Sequence, residues 1–159
     1  MNEQRRLSLS MIGMAVAAAV IGQPVFAQAG AKPQSQETTI DGVTAEIVEA
    51  LRKEGVLTLK VRYRNAGSAP AKVRIYGNRD TNNYYLTAGS TKFLMLNDSQ
   101  GVPLSVQYNI HGGLEAEVKP NGSYLFWAKY PAPPVEVKKF NFYNPHTPPF
   151  EDIPITETR

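Results

Sequence analysis

The residue types that could carry out chemistry are few in this chain, and their spacing forms no catalytic or metal-binding motif. The two histidines, His111 and His146, stand beside glycines and prolines and do not form an H-E-x-x-H frame. Asp80, Asp98 and Asp152 lie in or near predicted turns, so their spacing indicates no pair of catalytic carboxylates. The chain has no cysteine, which excludes thiol catalysis and thiolate metal sites. We therefore predict no catalytic residue, no metal ligand and no cofactor, and we expect a protein that is not an enzyme.

Aromatic side chains are the second group that could form a site, since the chain has eight tyrosines, six phenylalanines and one tryptophan. Large flat rings that are exposed on a sheet can stack against a ligand, whereas buried rings fill a core. The candidate binding residues are Tyr84, Tyr85, Trp127, Tyr130 and Phe150. An ordinary hydrophobic core is the favoured interpretation of these rings, and an exposed binding face is the alternative.

The elements that must position these rings are predicted to be strands. Residues 56–64 alternate between apolar and polar side chains, which is the pattern of a strand with one face in a core. Residues 43–52 also favour a strand, although their Glu, Ala and Leu content would suit a short helix. Further strands are expected after Pro70 and at residues 84–86, 91–96, 102–108, 114–118, 123–129 and 135–143. Short strands separated by turn residues predict an all-β, immunoglobulin-like antiparallel β-sandwich of about seven to nine strands.

The segment 123–129 is the most apolar of the predicted strands and contains the single tryptophan. Its period of two places Tyr124 and Phe126 on one face and Leu125 and Trp127 on the other. Apolar residues on both faces indicate either a strand that is covered on both sides or a face left open for a partner.

The last part of the chain is rich in proline. Residues 131–134 are interpreted as a rigid strand entry, with a polyproline II recognition surface as the alternative. In the tail at residues 150–155, Phe150, Ile153 and Ile155 need cover from water. We expect the tail to dock on its own domain, and the alternative is that it adds a strand to another protein.

The beginning of the chain has the order of a secretory signal peptide. Arg5 and Arg6 precede an apolar run at residues 7–21, and Ala-Gln-Ala follows at residues 27–29. The run is shorter than the roughly 20 apolar residues that span a bilayer, so we predict a cleaved signal, with an uncleaved membrane anchor as the alternative. The predicted organisation is a signal peptide at residues 1–29, a flexible leader at 30–37 and a β-sandwich domain at 38–159.

This organisation predicts a periplasmic or secreted protein with no membrane span after signal cleavage. The formal net charge of +3 is spread along the chain rather than clustered, so no nucleic-acid partner is expected. Because disulfides are excluded, packing of the core has to stabilise the exported domain.

The order of the segments resembles a known family. The sequences at residues 57–67 (LTLKVRYRNAG), 84–98, 119–130 (KPNGSYLFWAKY), 131–134 and 148–155 (PPFEDIPI) are similar to motifs of exported bacterial immunoglobulin-like domains of unknown function, the DUF4352-type group. Members of that group sometimes stand beside OmpA-type peptidoglycan-binding domains. The resemblance implies a β-sandwich and an envelope location, and it implies no activity, because a shared fold does not carry a function with it.

Two functions are compatible with these observations. We expect a non-enzymatic accessory domain of the bacterial cell envelope that binds or braces a protein partner, itself an envelope protein, through one face or an edge strand. The alternative is a module that binds a small ligand or a cell-wall glycan through exposed aromatic rings. The exposure of Trp127 discriminates between them, because a buried indole cannot serve as a stacking platform.

Overall fold

The computed structural model describes residues 34–74, 81–106 and 115–157. The predicted signal peptide, His111 and Asp80 lie outside the described residues. The described ranges contain a short 3-10 turn at Thr81–Asn83 and eleven strands, which are β1 (Ser35–Glu37), β2 (Val43–Lys53), β3 (Val56–Asn65), β4 (Ala71–Arg74), β5 (Tyr85–Ala88), β6 (Thr91–Phe93), β7 (Glu115–Val118), β8 (Ser123–Pro131), β9 (Lys139–Tyr143), β10 (Phe150–Pro154) and β11 (Thr156–Glu157). The predicted all-β class is confirmed, with more strands than expected.

The strands form three sheets. The first sheet has the order β1-β2-β3-β8, and β11 pairs with β2 on the edge that β1 also occupies. The second sheet has the order β10-β9-β5-β6, and β4 and β7 form a separate ribbon. All pairings are antiparallel except the one between β11 and β2. The inner faces of the two larger sheets share one apolar core, which gives the sandwich-like arrangement that the alternation predicts.

The β2–β3 hairpin is the longest pairing in the fold. Its turn is made by Glu54 and Gly55, which have φ values of 51° and 77°. Two consecutive positive φ values are typical of the type I′ turn, whose twist matches that of the flanking strands. The turn fixes the register of β3, so the inward positions that the alternation predicts, from Leu57 to Tyr63, are fully buried. The helix alternative for residues 43–52 is excluded by this pairing.

A bulge at Val48 changes which residues of β2 face the core. Ile47 pairs with Val61 and Glu49 pairs with Lys60, so Val48 is an extra residue on its strand. Without it, strict alternation would direct Glu49 into the core. With it, Glu49 faces outward, and Arg52 becomes the inward residue at the end of β2.

The Arg52 side chain forms a clamp at this end of the fold. Its side chain is only 8% exposed, and its guanidinium donates to the carbonyl oxygens of Pro133 (2.9 Å), Pro134 (2.7 Å) and Val135 (3.3 Å). The same guanidinium binds the Glu157 carboxylate of β11, with Nε 3.1 and 3.2 Å from the two oxygens. A buried guanidinium needs such a set of acceptors, because an unpaired buried charge is strongly destabilising.

The Asn65 side chain forms a corresponding junction at the opposite end of β3. It is fully buried, and its amide donates to the carbonyl oxygens of Ala69 (2.8 Å) and Val118 (2.9 Å). Its Oδ1 accepts from the Gly67 backbone N–H at 2.8 Å, and its own backbone N–H donates to the Gly122 oxygen at 3.0 Å. One side chain therefore connects the loop after β3 to the end of β7.

The prediction of a flexible leader at residues 30–37 is wrong for the last residues of that segment. Ser35–Glu37 form β1 and pair with β2. The side-chain amides of Gln34 and Gln36 also donate to the carbonyl oxygens of Glu151 (2.7 Å) and Pro149 (3.2 Å). These long-range contacts were not visible in the sequence, because a short polar segment has no periodicity of its own.

Three of the predicted strands are shorter than expected or form no ladder. The strand predicted at residues 91–96 ends at Phe93. The segment 135–138 is a turn, closed by a bond from the Val137 N–H to the Pro134 oxygen, and β9 begins at Lys139. The segment 102–106 makes only isolated bridges with Asn97 and Ala128, because Pro103 has no N–H to donate to a ladder. The tail docks on its own domain through β10 and β11, as expected.

Replacing Asn65 by alanine should destabilise the fold by about 2–4 kcal/mol, because it leaves buried backbone groups without partners. The change in the free energy of unfolding is measured by urea denaturation. Asn97, which is exposed, provides the control, and Asn97→Ala should stay within about 0.5 kcal/mol of the wild type. Equal effects of the two substitutions would contradict the role assigned to Asn65.

Acidification should weaken the clamp between Arg52 and Glu157. The hydrogen bond from Arg52 holds the pKa of Glu157 below its ordinary value of 4.5, and the nearby Lys138 acts in the same direction. A carboxylate whose pKa is lower in the folded state stabilises the fold above the unfolded pKa, and this contribution is lost as the pH falls through the folded pKa. The difference in free energy of unfolding between wild type and Glu157→Gln should therefore be largest near about pH 7 and disappear below 4.5. A difference that stays constant in urea titrations across this range would refute the assignment.

Candidate interaction face

Three of the five candidate aromatic residues lie in the core and are not available as exposed platforms. Tyr84, Tyr130 and Phe150 are 1%, 0% and 0% exposed. The Tyr84 ring lies 5.9 Å from that of Phe126, and the Phe150 ring lies 6.3 Å from that of Phe142. The favoured interpretation of these rings as core residues agrees with their burial. The reason is the strand period, which directs Tyr130 to the same inner face as Phe126.

Tyr85 is half-buried on the outer face of the second sheet. Its ring stacks on that of its cross-strand partner Tyr143, with centroids 4.8 Å apart and an interplanar angle of 8°. The ammonium group of Lys92 lies 3.8 Å from the centroid of the Tyr85 ring. The Tyr85 ring is thus already engaged by a stacking contact and a cation–π contact within the domain, which leaves less of it for a ligand.

Of the five candidate residues, Trp127 is the one that lies on an outer face next to another apolar side chain. The inward residues of β8 are Phe126, Ala128 and Tyr130, so Leu125 and Trp127 project together from the opposite face. Leu125 is 45% exposed and Trp127 is half-buried. The prediction that these two residues share the face opposite Phe126 is confirmed. That face is partly exposed, since Leu125 is exposed while Trp127 is partly buried and packs against the core.

Charged residues on the neighbouring strand β3 flank these two apolar side chains on one side. Trp127 is the register partner of Lys60, and Leu125 is the register partner of Arg62. Partners in an antiparallel pair point to the same face, with Cβ atoms about 5 Å apart. The charged groups therefore lie directly beside the apolar ones.

Two ion pairs join the cations of β3 to carboxylates of β2. The Lys60 Nζ lies 2.9 Å from Glu49 Oε2, and the Arg62 Nη1 lies 3.3 Å from Glu46 Oε2. Because Glu49 follows the bulge at Val48, the bulge is what places its carboxylate opposite Lys60. These half-exposed pairs contribute little to stability, so their main effect is to order the surface.

We call this surface the outer patch. It combines two apolar side chains, four cations and two carboxylates, which are Leu125, Trp127, Lys60, Arg62, Arg64, Lys129, Glu46 and Glu49. The cations outnumber the carboxylates by two. An apolar centre with a charged surround is the usual anatomy of a protein interface, and Trp and Arg are enriched among the residues that dominate binding.

The other residues considered from the sequence have structural contacts. Asp98 Oδ1 accepts from the backbone N–H groups of Gln100 (2.9 Å) and Val102 (2.8 Å), which makes it a turn residue. The backbone of His146 is held by Asn144, whose Oδ1 accepts from its N–H at 2.9 Å. Within residues 34–74, 81–106 and 115–157, no group of three or more His, Asp or Glu side chains could hold a metal ion. In the same ranges, no helix is long and apolar enough to cross a membrane.

A comparison of the chain with models of protein families, with curated proteins and with solved structures finds no match. The outer patch is therefore the feature from which a function can be proposed, and the family resemblance stays a prediction.

Sequence reasoning identified Trp127 and Leu125 but missed the charged half of the outer patch. The alternation in residues 56–64 indicates that Lys60 and Arg62 face outward, which was a usable signal. The neighbours of these cations depend on the register between strands and on the bulge, and neither can be read from one strand alone.

Iodide should quench the fluorescence of Trp127 more strongly than caesium does, because the cations of the outer patch outnumber its carboxylates. Trp127 is the single tryptophan of the chain, so the signal is unambiguous. The comparison is made by Stern–Volmer titration at equal ionic strength. Lys129→Glu, a substitution at an exposed site, should remove the preference. Negligible quenching by either ion, or a preference for caesium, would contradict the exposure and charge assigned to this face.

Proposed function

We propose that the protein is a non-enzymatic, exported accessory domain of the bacterial cell envelope that binds a protein partner through the outer patch. The observation that carries the proposal is the exposed Leu125 beside the partly buried Trp127, next to two cations that are paired with carboxylates. The envelope location rests on the signal peptide predicted at residues 1–29.

The apolar pair supplies the anchor of the proposed interface. Leu125 and Trp127 are adjacent on one face of β8, in the middle of the main chain pairing with β3. Both side chains stand on a strand that is paired with β3 along its whole length, so they lose little further freedom on binding. Large side chains in such ordered positions are the ones that most often dominate the affinity of an interface.

The charges around the anchor indicate the kind of partner. Arg64 and Lys129 are exposed at the margin of the patch, and Lys60 and Arg62 already have carboxylate partners. A partner surface with an apolar centre and acidic residues at its margin would complement this arrangement. Complementary charges of this type accelerate association and set the orientation of binding more than they raise the affinity.

Binding of a small ligand or a cell-wall glycan is the second candidate. Trp127 is the ring that favours it, because Tyr84, Tyr130 and Phe150 are buried and Tyr85 is stacked on Tyr143. One half-buried indole is a small platform for a sugar, whereas Leu125 beside it contributes apolar area that a polar ligand does not use. The outer patch therefore supports a protein partner better.

Site-specific photo-crosslinking in the native envelope tests the proposal. A photoreactive residue at Leu125 should give one dominant protein adduct, and Trp127→Ala should reduce its yield about tenfold, as expected for loss of an interface anchor. Leu94 is the matched control, since it is the same residue type and is 43% exposed, against 45% for Leu125.

A dominant adduct at Leu125 that is absent at Leu94 would support the protein-binding function. Identical adducts at both positions would show that the reactions report exposure alone. No adduct at Leu125, together with binding of soluble wall glycan that depends on Trp127, would overturn the proposal in favour of the second candidate.

A further inference from the structure

β11 pairs with the edge of β2 that faces away from β3, and it reaches that edge from the other sheet. β10 belongs to the second sheet and β11 belongs to the first, and the single residue Ile155 lies between them. The chain therefore crosses from one sheet to the other through a very short connection. A connection this short favours exchange of the segment beyond it between identical molecules, with Ile155 itself held by a bond from its N–H to the Lys138 oxygen at 2.8 Å.

The connection follows a stretch of irregular backbone. Asp152 has a φ of 53°, in the left-handed region that non-glycine residues seldom adopt, and the register of β10 shifts between Phe150 and Ile153. The strand that leads into the connection is thus already distorted.

The place that β11 occupies is formed mainly by the rest of the domain. The Arg52 guanidinium donates to the carbonyl oxygens of Pro133 and Pro134, which lie outside the C-terminal segment. The segment adds the Glu157 carboxylate and a bond from the Thr156 hydroxyl to the Ala50 oxygen at 2.8 Å. A buried cation with fixed geometry and an open acceptor on the strand edge constitute a preformed site for an extended acidic segment.

We propose that the C-terminal segment at Thr156–Glu157 exchanges between two copies of this chain, so that each copy places its Glu157 on the Arg52 of the other. In a single copy, Arg52 binds the Glu157 of the same chain, and we call this arrangement the closed form. Both copies carry the same cation and the same carboxylate, so the exchanged contact has the same charge complementarity. The result is a symmetric dimer with two reciprocal contacts.

An exposed apolar side chain beside the exchange site gives the dimer additional surface to bury. Val135 is 63% exposed, the largest exposure among the large apolar side chains in the described ranges. Its backbone oxygen accepts from Arg52 (3.3 Å) and from Lys138 Nζ (2.7 Å), which fixes the residue close to the Glu157 site. This surface is separate from the outer patch, whose apolar residues stand on β8.

The closed and exchanged forms share the contacts of Thr156 and Glu157, so concentration, the geometry of the connection and the additional surface at Val135 decide between them. A segment on a short tether is present at an effective concentration in the mM range, which favours the closed form in dilute solution. Exchange requires release of the clamp first, so its rate depends on the contact between Arg52 and Glu157 even though its equilibrium does not.

Disulfide trapping tests the exchange, because the chain has no cysteine of its own. Thr156 and Leu51 are register partners, so a Leu51→Cys chain is mixed with a Thr156→Cys chain under mild oxidation. The control replaces Leu51→Cys by Thr44→Cys, which lies on the same strand but pairs with β1. We expect the mixed dimer to form at least about tenfold more with Leu51→Cys than with the control, and to form about tenfold faster when Glu157→Gln weakens the clamp. Equal yields for the two mixtures would overturn the proposal.

Sedimentation of the wild-type chain decides the question if a cysteine variant does not fold. A dimer fraction that rises with concentration, and that dissociates faster on dilution in Glu157→Gln, supports exchange. A monomer up to about 1 mM, the range of the tether's effective concentration, overturns it. Both experiments use purified chain alone, so their failure leaves the proposed partner of the outer patch unaffected.

Discussion

Ten residue pairs join β2 to β3, and the bulge at Val48 interrupts this ladder. Beyond the bulge, the alternation of inward and outward side chains on β2 is shifted by one residue. Before the bulge, Val43, Ala45 and Ile47 face the core. After it, Ala50 and Arg52 do so. One extra residue thus keeps the carboxylate of Glu49 out of the interior and sends a guanidinium into it. The clamp at one end of the fold and the ordered cations on its outer face both follow from this shift.

Buried polar groups close the two ends of this hairpin, and both take the place of an apolar residue at an inward position. Asn65 is the last residue of β3, and its amide bonds to the carbonyl oxygens of Ala69 in the following loop and Val118 at the end of β7. Arg52 lies next to the end of β2, and its guanidinium bonds to the carbonyl oxygens of Pro133 and Pro134 in a loop that is distant in sequence. Loops have backbone groups that their own strands do not satisfy, so side chains with several donors are suited to hold them. In a domain without disulfides, such junctions tie the loops and the last strand to the core.

The two faces of β8 have different roles because the strand period separates them. Phe126, Ala128 and Tyr130 complete the core, while Leu125 and Trp127 stand among the charges of β2 and β3. Large apolar residues on an outer face are not needed for the stability of the sheet, and their presence beside ordered cations is what makes this face the strongest candidate for a partner. The second sheet has no comparable arrangement in its described part, since its outer tyrosines are stacked on each other.

The sequence by itself determined the strand class and the inward side of β3, because side chains alternate with a period of two whatever the strand pairs with. The same local rule predicted that Trp127 and Leu125 share a face. Only the tertiary structure decided the bulge, the strand formed by Ser35–Glu37, and the contacts of Arg52 and Asn65. Each of these depends on the register between segments that are far apart in the chain, and a single strand contains no information about the residue that will lie opposite it. For the same reason the sequence placed Tyr84, Tyr85 and Trp127 on predicted strands, but only the assembled sheets separated Tyr84, Tyr130 and Phe150 in the core from Tyr85 and Trp127 on the outer faces.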